Sequence, residues 1–252
     1  MEQGQTSETA RPGQPRILTA GDMGILVEFG DRYDPAINAA VLAFDGEFEK
    51  RRPDGVIETV PSFRSFLVRF DPLELPYERL KDMLQEMLVA RDWYQAGPPA
   101  RSRKWVLPAV YGGMRGPDLG EVADLMGLRE DQVIDSHAGA LLTVAMLGFA
   151  PGLAYLGQLD PVWDFPRRTT LNPEVPAGAV LVAVRQTVLP STPIPTGWRQ
   201  IARTPFRSFN PNSDIPFLLR PGDRVRFEPV DEAAYAAYAA YDMDALLHEE
   251  GA

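Results

Sequence analysis

Short β-rich runs and longer stretches with apolar residues at three- and four-residue steps succeed one another over the first hundred positions. Ile25-Leu26-Val27-Glu28-Phe29 reads as a strand. Asp34-Pro35 then opens a helix through Lys50, because proline is preorganised for the first helical turn. Val56 to Val60 and Ser65 to Phe70 are strand-like runs separated by Pro61-Ser62-Phe63-Arg64, a connection of hairpin length. Pro76 starts a second helix in which Leu80, Met83, Leu84, Met87 and Leu88 share a face. The order strand, helix, strand, strand, helix predicts a small α+β domain of the split βαβ type over residues 17–97. Residues 1–16 are polar, carry Pro12 and Pro15, and read as a disordered tail.

The pattern changes after residues 98–104, where Pro98-Pro99-Ala100-Arg101-Ser102 marks a linker. Trp105 to Tyr111 reads as a strand, and Asp118 to Met126 and Glu130 to His137 as short helices around Gly127. Thirteen prolines fall between 151 and 229, and the longest window between them, Ala177 to Leu189, is Val-rich, which excludes long helices. An all-β barrel or sandwich over residues 105–230 follows. The segment 231–252 is Ala-rich, with Tyr235, Tyr238 and Tyr241 at three-residue steps, and predicts a terminal helix through Glu249 with an apolar face open to a partner.

Composition narrows the chemistry. The 252 residues carry a formal net charge of −10, which repels phosphate backbones and anionic lipid and argues against nucleic-acid or membrane partners. There is no cysteine, so disulfides, thiolate nucleophiles and zinc-thiolate sites are excluded together. The only histidines are His137 and His248, too few and too far apart for an HExxH metal helix. None of the lysines, Lys50, Lys81 and Lys104, follows a glycine, so the chain holds no Walker A loop, and no GxSxG elbow occurs. The longest apolar run, Ala140 to Pro151, is too short to cross a bilayer, and a cytoplasmic location is expected.

A series of short motifs then stands in a fixed order: Tyr111-Gly112-Gly113, Gly116-Pro117-Asp118-Leu119, Leu147-Gly148-Phe149-Ala150-Pro151-Gly152 with Tyr155-Leu156-Gly157, Pro166-Arg167-Arg168, Val175-Pro176-Ala177-Gly178, Gln186-Thr187, Gly197-Trp198, Arg203-Thr204-Pro205, Phe209-Asn210-Pro211, and Leu219-Arg220-Pro221-Gly222-Asp223. This order resembles the PxpB/KipI family, also called allophanate hydrolase subunit 1 or carboxyltransferase domain subdomain C. The resemblance implies an α+β N-terminal domain followed by a cyclophilin-like β-barrel domain. It implies a subunit of an ATP-dependent 5-oxoprolinase that works with a homologous partner subunit (PxpC/KipA-like) and a large PxpA-like subunit. The nucleotide would then sit at a partner, with no cofactor bound by this chain. Two other activities remain open: inhibition of a histidine kinase, as in the KipI branch, and a divergent cyclophilin-like enzyme acting on another small molecule. The chain departs from the family pattern at Leu181, Ala183 and Val184 before Gln186, and at Val188-Leu189-Pro190-Ser191 after Thr187. With valine in place of glycine at 184 and 188, this loop should have a different backbone and a narrower, more apolar pocket.

Candidate residues follow from the motifs. His137 ends a predicted helix, where the dipole favours an imidazolium; it is either a capping or interdomain histidine or takes a direct catalytic part. Arg167 and Arg168 lie in a loop that cannot be helical and offer a fork for a carboxylate or phosphate, the alternative being a structural ion pair. Gln186, polar within an apolar run, is expected to face a pocket. Phe149, Gly152, Tyr155, Thr187 and Trp198 complete the expected ligand-binding set. Asp160 and Glu174, the nearest carboxylates, are expected at the surface. The pocket itself is expected where the 148–157 loop, the Arg167-Arg168 loop and the 186–198 segment converge.

Overall fold

The computed structural model describes residues 14–97, 103–239 and 247–249. Residues 1–13 of the expected tail (1–16), residues 98–102 of the expected linker (98–104) and Tyr241 lie outside the described residues, while Arg16 begins a strand and Arg103 and Lys104 belong to one, so the tail and the linker are each shorter than expected. The chain divides into two compact units, residues 1–98 and 99–252.

The first unit is a four-stranded antiparallel sheet with two helices. Its elements are β1 (Arg16–Thr19), β2 (Gly24–Glu28), α1 (Pro35–Glu49), β3 (Val56–Pro61), β4 (Ser65–Phe70) and α2 (Tyr77–Val89), with strand order β1-β2-β4-β3. Strand β4 lies between β2 and β3, which are joined through α1, so the split βαβ arrangement is present, with β1 added at one edge. The Asp34 side chain accepts from the Ala36 N–H at 2.8 Å and Pro35 follows it, so the start of α1 is fixed by local chemistry. Phe44 makes edge-on contacts with Phe29, Phe66 and Trp93 at centroid distances of 5.4, 5.4 and 4.9 Å. Leu80, Leu84 and Met87 bring α2 onto the same core.

The second unit is a closed barrel. Its strands are β5 (Arg103–Tyr111), β6 (Leu142–Leu147), β7 (Ala154–Gly157), β8 (Asn172–Val175), β9 (Ala179–Ala183), β10 (Gln186–Leu189), β11 (Ile194–Thr196), β12 (Arg199–Arg203), β13 (Arg224–Pro229) and β14 (Leu247–Glu249). The ring runs β12-β9-β10-β7-β6-β13-β5 and closes by the pairing of β12 with β5 at Val110 and Tyr111. β14 pairs with the other end of β5, at Arg103, Lys104 and Trp105. α3 (Leu119–Met126) and α4 (Glu130–Gly139) contribute Leu119, Val122 and Val133 to the barrel core. The α+β domain followed by a cyclophilin-like barrel is therefore as the motif order implied.

Two differences from the sequence reading have clear physical causes. The terminal helix, α5, covers only Glu232–Tyr238, and residues 247–249 form a strand because the edge of β5 offers unpaired backbone groups. Tyr235 is buried and Tyr238 packs against the barrel core, so these tyrosines satisfy the chain's own interior and present no open face.

Alternation along the wall strands separates two apolar clusters. Val180, Val182, Leu156 and Leu189 point into the barrel core, whereas Ala179, Leu181, Ala183 and Val188 point outward. The outward set packs with Leu153, Val175, Ile194 and Trp198 into a second, smaller core beneath the two-stranded β8–β11 flap.

Candidate functional site

The smaller core is incompletely filled. A cavity of about 270 Å³ opens over it, walled by Leu153, Tyr155, Val188, Ile194 and Trp198, with Phe149, Arg167 and Leu171 at its mouth. These residues come from the 148–157 loop, the Arg167-Arg168 loop and the 186–198 segment, so the three stretches do meet around one pocket. A second cavity of about 510 Å³ adjoins it and shares Arg167, Leu171 and Gly197. The first unit holds a larger surface cavity, about 850 Å³, beside the end of α2, but none of the motif residues lines it.

Each wall has a local reason. On β7, Ala154 and Leu156 enter the barrel core, so Tyr155 between them faces outward, where its ring meets Trp198 edge-on at 6.4 Å. Burial raises the Tyr155 pKa and the Arg167 charge opposes it, which keeps the phenol protonated at neutral pH. Phe149 sits in the β6–β7 connection at φ 73° and is 75% exposed. Gly152, with φ 68°, is a buried turn residue and does not line the cavity: a Cβ there would lie 2.4 Å from the Phe209 Cβ.

The two arginines have different roles. Arg168 binds Asp118 at 2.9 Å and Glu121, which also accepts from Arg199 Nε at 2.7 Å. Its backbone N–H donates to the Gly197 carbonyl at 2.7 Å, and the missing Cβ of Gly197 permits that approach. These carboxylates raise the Arg168 pKa, and the Arg168 and Arg199 guanidinium groups in turn lower that of Glu121, so Arg168 is the anchor of its loop. Arg167 is exposed at the pocket mouth and makes no ion pair with any described residue. It is the cation left available to a ligand.

His137 and Thr187 lie on the other side of the wall. His137 is fully buried at the end of α4, with Nδ1 2.7 Å from the Tyr111 hydroxyl and Nε2 2.9 Å from Thr187 Oγ1. Burial pushes its pKa down to about 3, so the expected imidazolium is replaced by a neutral ring. The helix end offers at most about 2 kcal/mol to a charge, less than the cost of an unpaired ion taken from water. Thr187 is buried beside it, and its neighbours Gln186 and Val188 face the opposite way. Gln186 shares the outer face with Val188 but does not line the cavity.

The structure thus brings together Phe149, Tyr155, Arg167 and Trp198 around the smaller cavity, places Arg168 at the adjoining one, and leaves His137, Thr187, Gln186 and Gly152 outside the lining of both. Asp160 and Glu174 are exposed. Sequence reasoning missed Tyr111, Glu121 and Arg199 as partners of the singled-out residues; Tyr111 and Asp118 stood in the motifs, but nothing in their spacing indicated whom they meet. Among the described residues no group of three His, Asp or Glu is placed to hold a metal, and no helix is long and apolar enough to cross a membrane. The pocket can grip an apolar molecule by aromatic walls and an anionic group by Arg167. It contains no histidine or carboxylate to move a proton.

The turn joining β9 to β10 is conformationally unusual. Val184 and Arg185 both have positive φ, 44° and 61°, the arrangement of a two-residue hairpin normally filled by Asn-Gly. Val184 thus takes a positive φ that glycine adopts without strain. Its N–H donates to the Phe165 carbonyl at 2.8 Å and the Arg185 N–H to the Trp163 carbonyl at 3.1 Å, so the 159–165 segment holds a conformation that valine disfavours.

Residues 15–219 match the family model described as carboxyltransferase domain, subdomain C and D. The chain is 35% identical over 235 residues to the 5-oxoprolinase B subunit of Bacillus subtilis (strain 168), covering 88% of this chain and 96% of that protein. It is 37% identical over 221 residues to the 5-oxoprolinase B subunit of Escherichia coli O157:H7, covering 86% and 97%. Among solved structures it resembles TTHA0988 at 33% identity and a TM-score of 0.71, over 82% of this chain and 40% of that one. The motif order, the split βαβ unit, the closed barrel and this extended identity agree, and the chain belongs to the PxpB/KipI family of carboxyltransferase-domain proteins.

Proposed function

We propose that this chain is a subunit of a 5-oxoprolinase-type complex and that its outer pocket holds the carboxylate of a lactam-sized substrate. The observation that carries this reading is the exposed Arg167 guanidinium, without an ion pair among the described residues, at the mouth of an aromatic cavity of about 270 Å³. A guanidinium matches a carboxylate in a two-point hydrogen bond. Tyr155 and Trp198 supply flat apolar walls suited to a small ring. The relatives named as 5-oxoprolinase B subunits support the assignment to that kind of assembly.

The pocket lacks an acid or base, so the proton transfers and the ATP that drive lactam opening belong, in this reading, to a homologous partner subunit and a large third subunit. Phe149 and Leu171, 75% and 62% exposed at the pocket mouth, are the surface such a partner would cover.

The test is ATP-dependent hydrolysis of 5-oxoproline by the chain co-expressed with the neighbouring homologous subunits. Arg167→Lys keeps the charge and loses the fork, so KM should rise by a factor corresponding to about 1–3 kcal/mol. An assembled complex that turns over 5-oxoproline with an unchanged KM in Arg167→Lys and Arg167→Gln removes Arg167 from the site. An assembled complex with no turnover of any lactam removes the functional assignment.

A further inference from the structure

Two of the motif segments, Val175-Pro176-Ala177-Gly178 and Arg203-Thr204-Pro205, do not line the cavity and meet at the end of β12 beside α5. Arg203 Nε donates to the Ala177 carbonyl at 3.2 Å. Arg207 Nη1 donates to the carbonyls of Thr204, Pro205 and Phe206 at 3.2, 3.2 and 3.0 Å. The Tyr235 hydroxyl reaches the same Thr204 carbonyl at 3.5 Å, and the Arg115 guanidinium lies 4.1 Å from the centre of the Tyr235 ring. Gly178, at φ 76°, makes room for this gathering: a Cβ there would stand 2.3 Å from Arg207 Nη1.

The charges do not balance. Glu232 is the carboxylate of the group and it is engaged by Arg115 at 3.0 Å. Neither Arg203 nor Arg207 has a carboxylate partner among the described residues, and both are only partly exposed, in a chain whose formal charge is −10. Burial lowers the Arg207 pKa and the nearby Arg203 charge adds to this, while the hydrogen bond to the Tyr235 hydroxyl opposes it, as expected for a cation that has lost water without gaining a carboxylate. Carbonyl oxygens satisfy some of the donors but supply no counter-charge, and the remaining guanidinium N–H groups have the geometry that favours oxyanions.

We propose that Arg203 and Arg207 form a binding site for a phosphate-type dianion, distinct from the outer pocket. Two guanidinium charges without carboxylates match the charge of hydrogen phosphate, and the site does not depend on the function assigned to the pocket. Free phosphate and the phosphoryl group of an ester share this chemistry.

The experiment is a titration of the full chain with inorganic phosphate and, separately, with methyl phosphate, at constant ionic strength set with chloride. Arginine Nε–H resonances report the binding in 15N-resolved spectra. Saturable shifts at Arg203 and Arg207 are expected, with inorganic phosphate if the site takes the free ion and with methyl phosphate alone if it takes an ester. Arg203→Gln should weaken binding at least about tenfold, the loss of one charged hydrogen bond. Arg226→Gln, an exposed arginine on β13, should leave it unchanged. Linear, unsaturable shifts with both anions in the wild-type chain overturn the proposal without recourse to any variant. Equal affinity in folded Arg203→Gln or Arg207→Gln overturns it as well.

Discussion

Replacing His137 by Gln should flatten the acid side of the stability profile. In the folded chain the imidazole is fully buried and its pKa is pushed down to about 3, against about 6.5 in an unfolded chain. Between those values the unfolded chain binds a proton that the folded chain does not. The histidine's contribution is therefore complete above pH 6.5 and is lost as pH falls through 6.5 toward 3. Each pH unit in that window costs about 1.36 kcal/mol, so the loss at pH 4.5 approaches about 2.7 kcal/mol, and this figure holds for any folded value well below 4.5. Carboxylates titrate nearby, and Asp45, which burial raises to about 6, acts in the opposite sense by favouring the folded state as pH falls. The difference between wild type and His137→Gln cancels those groups. Gln forfeits part of the bonding to Tyr111 and Thr187 and should cost about 2 kcal/mol at pH 7.5. Urea unfolding at pH 7.5 and 4.5 should show that gap closing as pH falls. Parallel pH profiles for the two proteins would refute a neutral buried His137 and restore it as a candidate acid or base.

Four further substitutions probe the frame of the pocket. Gly152→Ala adds a Cβ at φ 68°, 2.4 Å from Phe209 Cβ, and should cost about 3 kcal/mol or more in urea unfolding. Val184→Gly relieves left-handed strain of about 1–2 kcal/mol against a comparable entropic loss, so stability should change by less than about 1 kcal/mol. Val182→Gly, at an extended and fully buried position nearby, should cost about 3 kcal/mol, and equal costs at the two sites would contradict the strain argument. Glu121→Gln leaves Arg168 and the buried Arg199 without their shared carboxylate; because Glu121 is 42% exposed and water screens the pair, a loss of about 1–2 kcal/mol is expected in thermal or urea unfolding.

The parts of the fold set by local chemistry could be read from the chain. Asp34-Pro35 started α1, the three- and four-residue steps of Leu80, Leu84 and Met87 turned α2 inward, and proline spacing excluded long helices from residues 151–229. The parts that depend on distant partners could not. Strand β14 exists because β5 has a free edge, which no local pattern near Leu247 records. The site behaved likewise. Tyr155, Arg167 and Trp198 were recognised by type and meet in one cavity, but Arg167 and Arg168 are adjacent in sequence and only the positions of Asp118 and Glu121 decide which of them is neutralised. His137 was assigned a charge from its helix end, since burial by Trp163 and Phe227 was invisible in its neighbours.

The two-sided wall of the barrel also bears on how such a protein can diverge. On β9 and β10 the residues of one parity, Val180, Val182 and Leu189, maintain the interior, while those of the other, Leu181, Ala183 and Val188, build the smaller outer core, from which Val188 lines the cavity. Mutation at alternate sites can therefore alter what the cavity accepts while the interior, and with it the capacity to fold, stays under separate selection. A strand of this kind lets ligand preference drift faster than architecture.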